Sequence, residues 1–181
     1  DLVSLDAKTS VAVDASAIKN ISGDAADVKA AYDANANKTI SGLGNETVDL
    51  STALNASVSL VKAINDFTTG VITLDTVNVS AGNFSLSQLG DLKGITGLNT
   101  LDVSAGNTNI TLSLKDLLAS NDDTNSFAFN IANGSAGDTV KFVADTTGWT
   151  ADTTNSATGV TLYTNDVTSQ VITINHTGVV V

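Results

Sequence analysis

Hard-oxygen side chains crowd one short stretch of this chain. Asn121, Asp122, Asp123 and Asn125 fall within five residues, and Asp138 follows a strand-like run. Carboxylates and amide carbonyls at this density suit Ca²⁺, which takes about six to eight oxygen ligands. The EF-hand spacing and its closing Glu are missing, so the competing expectation is a solvated turn with Asx-type bonds to its own backbone. His176 is the one His. A Ser–His–Asp relay would need it, but it lies in VITINHTGVV at the parity of Ile172 and Ile174, and no G-x-S-x-G elbow occurs. It reads as a structural strand residue. Asp122 and Asp123 could form a carboxylate pair for glycoside cleavage. With eight Lys, scattered, and no Arg, no cationic cluster is available to steady an anionic transition state, and the chain is expected not to be an enzyme. Trp149, in TTGWTAD, and Tyr163 are the candidate aromatic platform for a glycan; the competing expectation is that a lone Trp packs inward.

Composition sets the class of partner. The net charge is −11 over 181 residues. Such a chain repels phosphate backbones and anionic headgroups, which disfavours nucleic acid and membrane surfaces. Its apolar runs are too short to span a bilayer. Cys is absent, so disulfides, thiolate chemistry and Cys-based zinc sites are absent too. Met is also absent, which gives the expectation of an excised or mature fragment. Hydrophobic residues make up 42%, enough for a packed core rather than disorder.

The elements that would position these residues alternate in period. Helical spacing occurs in GDAADVKAAYDAN (23–35), NASVSLVKAINDF (55–67), SLSQLGDL (85–92) and SLKDLLAS (113–120). Asp24 is the expected N-cap of the first, and Ser85 with Gln88 and Ser113 with Asp116 have capping-box spacing. Period-two runs lie between them: AIKNI, ETVDLS, VITLDTVNVS, NTLDVS and SFAFNIA. VSAGN occurs at 79–83 and again at 103–107, 24 positions on. It reads as a strand-exit turn in which Gly82 and Gly106 take positive φ. A strand-plus-helix unit recurring at this interval cannot bury its own apolar face and must stack on its neighbours. The expected fold is α/β: a solenoid of stacked strand–helix units with a parallel sheet, LRR-like or β-helix-like, over residues 1–135. Residues 136–181, with strand-like runs and no amphipathic helix, are expected to form an antiparallel β meander packed on its end.

ISGDAADVKAAYDAN, ISGLGNETVDLS and VKAINDFTTGVITLDT resemble repeat units of very large secreted bacterial surface proteins, of the type I-secreted adhesin, RTX-associated and surface-layer kind. LSLKDLLASNDDTNSFAFNIANGSAGDTVKF, GWT and GVTLYTN resemble a second module of that group. The resemblance implies an extracellular, cell-surface location, a structural or adhesive role, and calcium. The G-G-x-G-x-D nonapeptide is missing, so calcium by that route is not expected. The functional expectation is a non-enzymatic spacer, adhesion or self-assembly segment whose partners are copies of itself or neighbouring repeats. The alternative is a module binding glycan or a host surface through its C-terminal β region.

Overall fold

A computed structural model describes residues 2–121, 126–143, 145–152, 154 and 158–181. In chain order the elements are α1 (Leu2–Asp6), β1 (Val13–Asp14), β2 (Asn20–Ser22), α2 (Ala25–Ala36), β3 (Ile40–Ser41) and β4 (Thr47–Asp49). Then come α3 (Val58–Phe67), β5 (Ile72–Thr73), β6 (Thr76–Asn78), β7 (Gly82–Ser85), β8 (Ile95–Thr96), β9 (Thr100–Asp102) and β10 (Thr108–Ser113). The chain closes with α4 (Leu114–Ala119), β11 (Phe127–Ala132), β12 (Thr139–Val143), β13 (Trp149–Asp152), β14 (Val160–Asn165) and β15 (Val171–Asn175).

The result is a mixed α/β fold whose sheets are mostly parallel. One sheet runs β2-β4-β5-β8 and another β7-β10-β12, both parallel throughout. A third runs β6-β9-β11-β15 in parallel and then turns antiparallel through β14 and β13. β1 pairs with β3. The parallel pairings set apolar residues opposite one another, so they form rows across the strands. Ile21, Val48, Ile72 and Ile95 make one row. Val77, Leu101 and Ile131 make a second, and Phe84, Ile110 and Val140 a third. All but Ile21 are buried in one continuous core. α2, α3 and a 3₁₀ turn at Leu86–Leu89 pack in succession along the same core.

Short polar side chains end the strands and tie them together. Asp14, Asp49 and Asp102 each close a strand and accept an N–H from the Ser two residues on, all at 2.9 Å. The shared spelling is D-x-S, and the Asx turn it makes halts the strand and starts the corner. A second device climbs the stack. Asn99 donates its amide to the Asp75 carboxylate, Asn130 donates its backbone N–H to the Asn99 carbonyl at 2.7 Å, and Asn175 donates its amide to Asn130 Oδ1 at 2.8 Å. These half-buried groups satisfy one another where water is scarce.

Several expectations change. Residues 85–92 do not form an α-helix: β7 runs through Ser85, four residues of 3₁₀ turn follow, and Gly90 swings the chain away before an α-turn can repeat. VITLDTVNVS is two strands in two sheets, β5 and β6, with a corner at Leu74–Asp75. Asp24 stands before α2 but makes no capping bond, whereas Ser57 and Ser113 both cap, accepting from Leu60 N–H and Asp116 N–H. The expected meander from 136 on starts later. β12 joins the parallel sheet of β10, and β15 returns to lie parallel to β11, so the antiparallel group is β13, β14 and β15 alone. Gly82 and Gly106 do take positive φ, 110° and 68°.

The half-buried ladder should matter more than its exposed counterpart, in which Thr139 donates to Asn109 and Asn109 to Asn83 at 2.9 and 3.2 Å. Asn130→Ala keeps the backbone N–H but removes the Oδ1 that accepts from Asn175 and the long Nδ2 bond to Asn99 O (3.5 Å), and should cost about 1–3 kcal/mol. Asn109→Ala should stay within about 0.5 kcal/mol. Urea unfolding of the two variants measures the difference, and equal costs would contradict the assignment.

Candidate functional site

The structure distributes the sequence-nominated residues unevenly. Asp122, Asp123 and Asn125 lie outside the described residues; Asn121 is half-buried after α4. Asp138 is fully buried at the mouth of β12. One of its oxygens accepts Thr108 N–H at 2.7 Å, and the other accepts Ser135 N–H and Ser135 Oγ–H at 2.7 and 2.8 Å. Burial alone would raise its pKa; these donors outweigh burial and hold it below the usual carboxylate value. The carboxylate is thus occupied in pinning the 135–138 turn to the start of β10. Among the described residues, no three His, Cys, Asp or Glu side chains gather as a metal-holding group.

Tyr163, a candidate platform residue, is buried, its ring edge-on to Phe142 at 6.4 Å. That burial corrects its place in the candidate site, because no glycan can reach the ring face. Trp149 is half-buried on β13, the last strand of its sheet, and packs against the core from there. His176 is fully buried just after β15. Its Nε2 lies 3.1 Å from Thr161 Oγ and its ring 5.3 Å from that of Phe142. Burial lowers its pKa, so the ring is neutral at pH 7.

Two carboxylate centres escaped the sequence reading. Glu46, the only Glu in the chain, is buried and accepts from the Tyr32 hydroxyl, Gly44 N–H (2.8 Å) and Asn45 N–H (3.2 Å). Burial works to raise its pKa, but these bonds prevail and lower it. Tyr32 stacks on Phe67 with ring centres 5.5 Å apart, and burial, with the bond to Glu46, pushes its phenol upward. A single Glu amid glycines, in GLGNET, was the available signal. The second centre is Asp145, which accepts Ser113 Oγ–H at 2.7 Å and Lys115 N–H at 2.9 Å and so reinforces the start of α4. Burial, then the charge of Asp145, raises the pKa of Asp116 beside it.

A cleft of about 240 Å³ opens between the start of α3 and β7. Val58, Val79 and Phe84 give it apolar walls, and Ser80, Asn83 and Gln88 give it polar ones. Four of its lining residues, Val79, Ser80, Ala81 and Asn83, come from the first VSAGN copy. No protein-family model, curated protein or solved structure matches this chain. Among the described residues no helix is long and apolar enough to cross a membrane.

Buried His176, Glu46 and Asp138, with the exposed but hydrogen-bonded Asp145, predict acid lability in two stages. Above pH 6.5, His176 is neutral both folded and unfolded and contributes no slope. As pH falls below its unfolded value of 6.5, the unfolded chain binds a proton that the folded chain refuses, and stability declines. Glu46, Asp138 and Asp145, all held low, add a steeper loss once pH falls through their unfolded values of 4.5 and 3.8. Thermal unfolding of His176→Gln should flatten the decline between pH 6.5 and 5 and leave the later one; an unchanged upper stage would show that the ring is protonated in the fold.

Proposed function

We propose that this chain is a non-enzymatic structural segment of an exported, cell-surface repeat protein, acting as a spacer or adhesive scaffold. In this reading its strand–helix units form a solenoid. The supporting observation is the register: Val48 faces Ile72, which faces Ile95, and Val77 faces Leu101, which faces Ile131. Each unit completes its neighbour's core, as a stack that transmits load must. The outer surface fits the same role. A net charge of −11 keeps modules soluble and apart, and divalent cations bridging surface Asp residues would supply contacts between copies. The stretch from Asn121 to Asn125 is the proposed calcium-responsive segment, and a location outside the cell follows from the resemblance in the sequence.

A second reading, a glycan- or surface-binding module, is favoured by one observation: Trp149 is half-exposed on a sheet edge.

Stretching a concatemer of the chain between a surface and a cantilever tests the spacer reading. Each module should give one cooperative unfolding peak; gradual extension at low force would defeat it. Millimolar Ca²⁺ should raise the unfolding temperature relative to EDTA by several degrees if the segment binds the ion, and identical curves would remove calcium from the proposal. Retention on a glycan panel that disappears in Trp149→Ala would transfer support to the second reading.

A further inference from the structure

We propose that the outer edge of β7, with the cleft beside it, takes up an extended strand from a basic partner polypeptide. This goes beyond the spacer reading and does not depend on it. The cleft exists because successive units are unequal. The unit before β7 passes from Ser57, which bridges to Asn78, straight into α3. It therefore lays no strand against β7, and the parallel sheet β7-β10-β12 begins with an open edge. The second VSAGN copy has no such opening, since Gly137 of the following unit packs on Asn107.

The edge is chemically prepared for a main chain. Gly82 donates its N–H to Asn107 O at 3.0 Å, across to the β10 side. By strand alternation the peptide group of Asn83 turns the opposite way, toward the cleft. There the Asn83 carbonyl accepts only a long, exposed bond from Gln88 Nε2, at 3.3 Å. A peptide N–H can replace that donor at little cost. Side-chain rows specify the rest. The inward row Val140, Ile110, Phe84 stops at the cleft, whose walls are Val58 and Val79. The outward row Thr139, Asn109, Asn83 stops there too. An added parallel strand extends both by placing a Val or Ile inward and an Asn, Ser or Thr outward. Charge selects the source. The charged residue lining the cleft, Lys62, is paired with Asp66 at 2.6 Å, so the net charge of the chain decides: a second copy brings another −11 and is repelled, whereas basic residues flanking the strand are drawn to this molecule.

The test uses the 181-residue chain and a synthetic peptide, acetyl-KKTNVTVNKK-amide, followed by amide NMR shifts and titration calorimetry. Shifts should centre on residues 79–88. N-methylation of the two Val amides should weaken binding about tenfold or more, the worth of one or two main-chain bonds. Ser80→Trp, at an exposed rim position, should fill the cleft and abolish binding with the fold intact. Absence of binding at millimolar peptide overturns the proposal. Affinity indifferent to N-methylation and to Ser80→Trp also overturns it, reducing the effect to charge attraction. Concentration-dependent dimers of the chain that Ser80→Trp dissolves would overturn the choice of partner.

Discussion

Parallel strands govern this molecule because each leaves one backbone edge that only the next unit can satisfy. β4 is paired on one side by β2 and on the other by β5, and β9 stands likewise between β6 and β11. Unpaired peptide groups away from water are costly, and a two- or three-residue strand has too little side-chain area to offset them alone. Stability therefore rests on contacts between strands distant in sequence. The same constraint explains the polar side chains inside. Asp75 and Asn99 stand just before β6 and β9 and Asn175 ends β15, while Asn130 lies within β11 and links Asn99 to Asn175.

The carboxylates whose charge is held by hydrogen bonds follow the same logic. Buried Glu46 and Asp138 accept backbone N–H groups from the turns beside them, and exposed Asp145 accepts one from the first turn of α4. Desolvation disfavours their charge, and donors restore it. Charge buried this way substitutes for the disulfides and prolines the chain does not contain. It fixes turns by hydrogen bonds whose strength falls away in acid, along with the neutral burial of His176. Among the described residues the other Asp side chains are exposed or half-buried, and their shared charge opposes association of like molecules.

How much of this was legible in the sequence depended on whether a signal was local. The helices over 25–36, 58–67 and 114–119 were readable because their apolar spacing is local, and Val28, Ala31 and Tyr32 are buried as their spacing requires. The mostly parallel pairing was readable because strand-like and helix-like runs alternate along the chain. The break between β5 and β6 was written in the parity: Ile72 and Leu74 are even, Val77 and Val79 odd, and all four are buried. A corner is the only way to turn both pairs inward. β10 was missed although Thr108, Ile110 and Leu112 alternate, because Leu114 and Leu117 drew the eye to a helix. The Leu86–Leu89 turn had helical spacing too, but the strand before it and the Gly after it left too few residues. The roles of Glu46 and Asp138 were not legible, since their donors come from main chain whose position only the fold defines.

Unequal unit length is what separates repetition from a usable surface. Identical units would cover each other completely and leave only the two ends exposed. Here the interval between strand residues paired in parallel varies, from 23 for Ile72 and Ile95 to 45 for Phe129 and Ile174. The extra residues become an added strand, β7 or β12, or an excursion such as β13 and β14. Wherever one unit has a strand that its predecessor lacks, the sheet acquires an internal edge, flanked by a helix and open to solvent. The two VSAGN copies make the contrast within one chain. The same five residues form a covered turn where the next unit is long enough to reach them, and the wall of a cleft where the preceding one is short. Local sequence sets the conformation of that loop; the length of its neighbours determines whether anything can reach it.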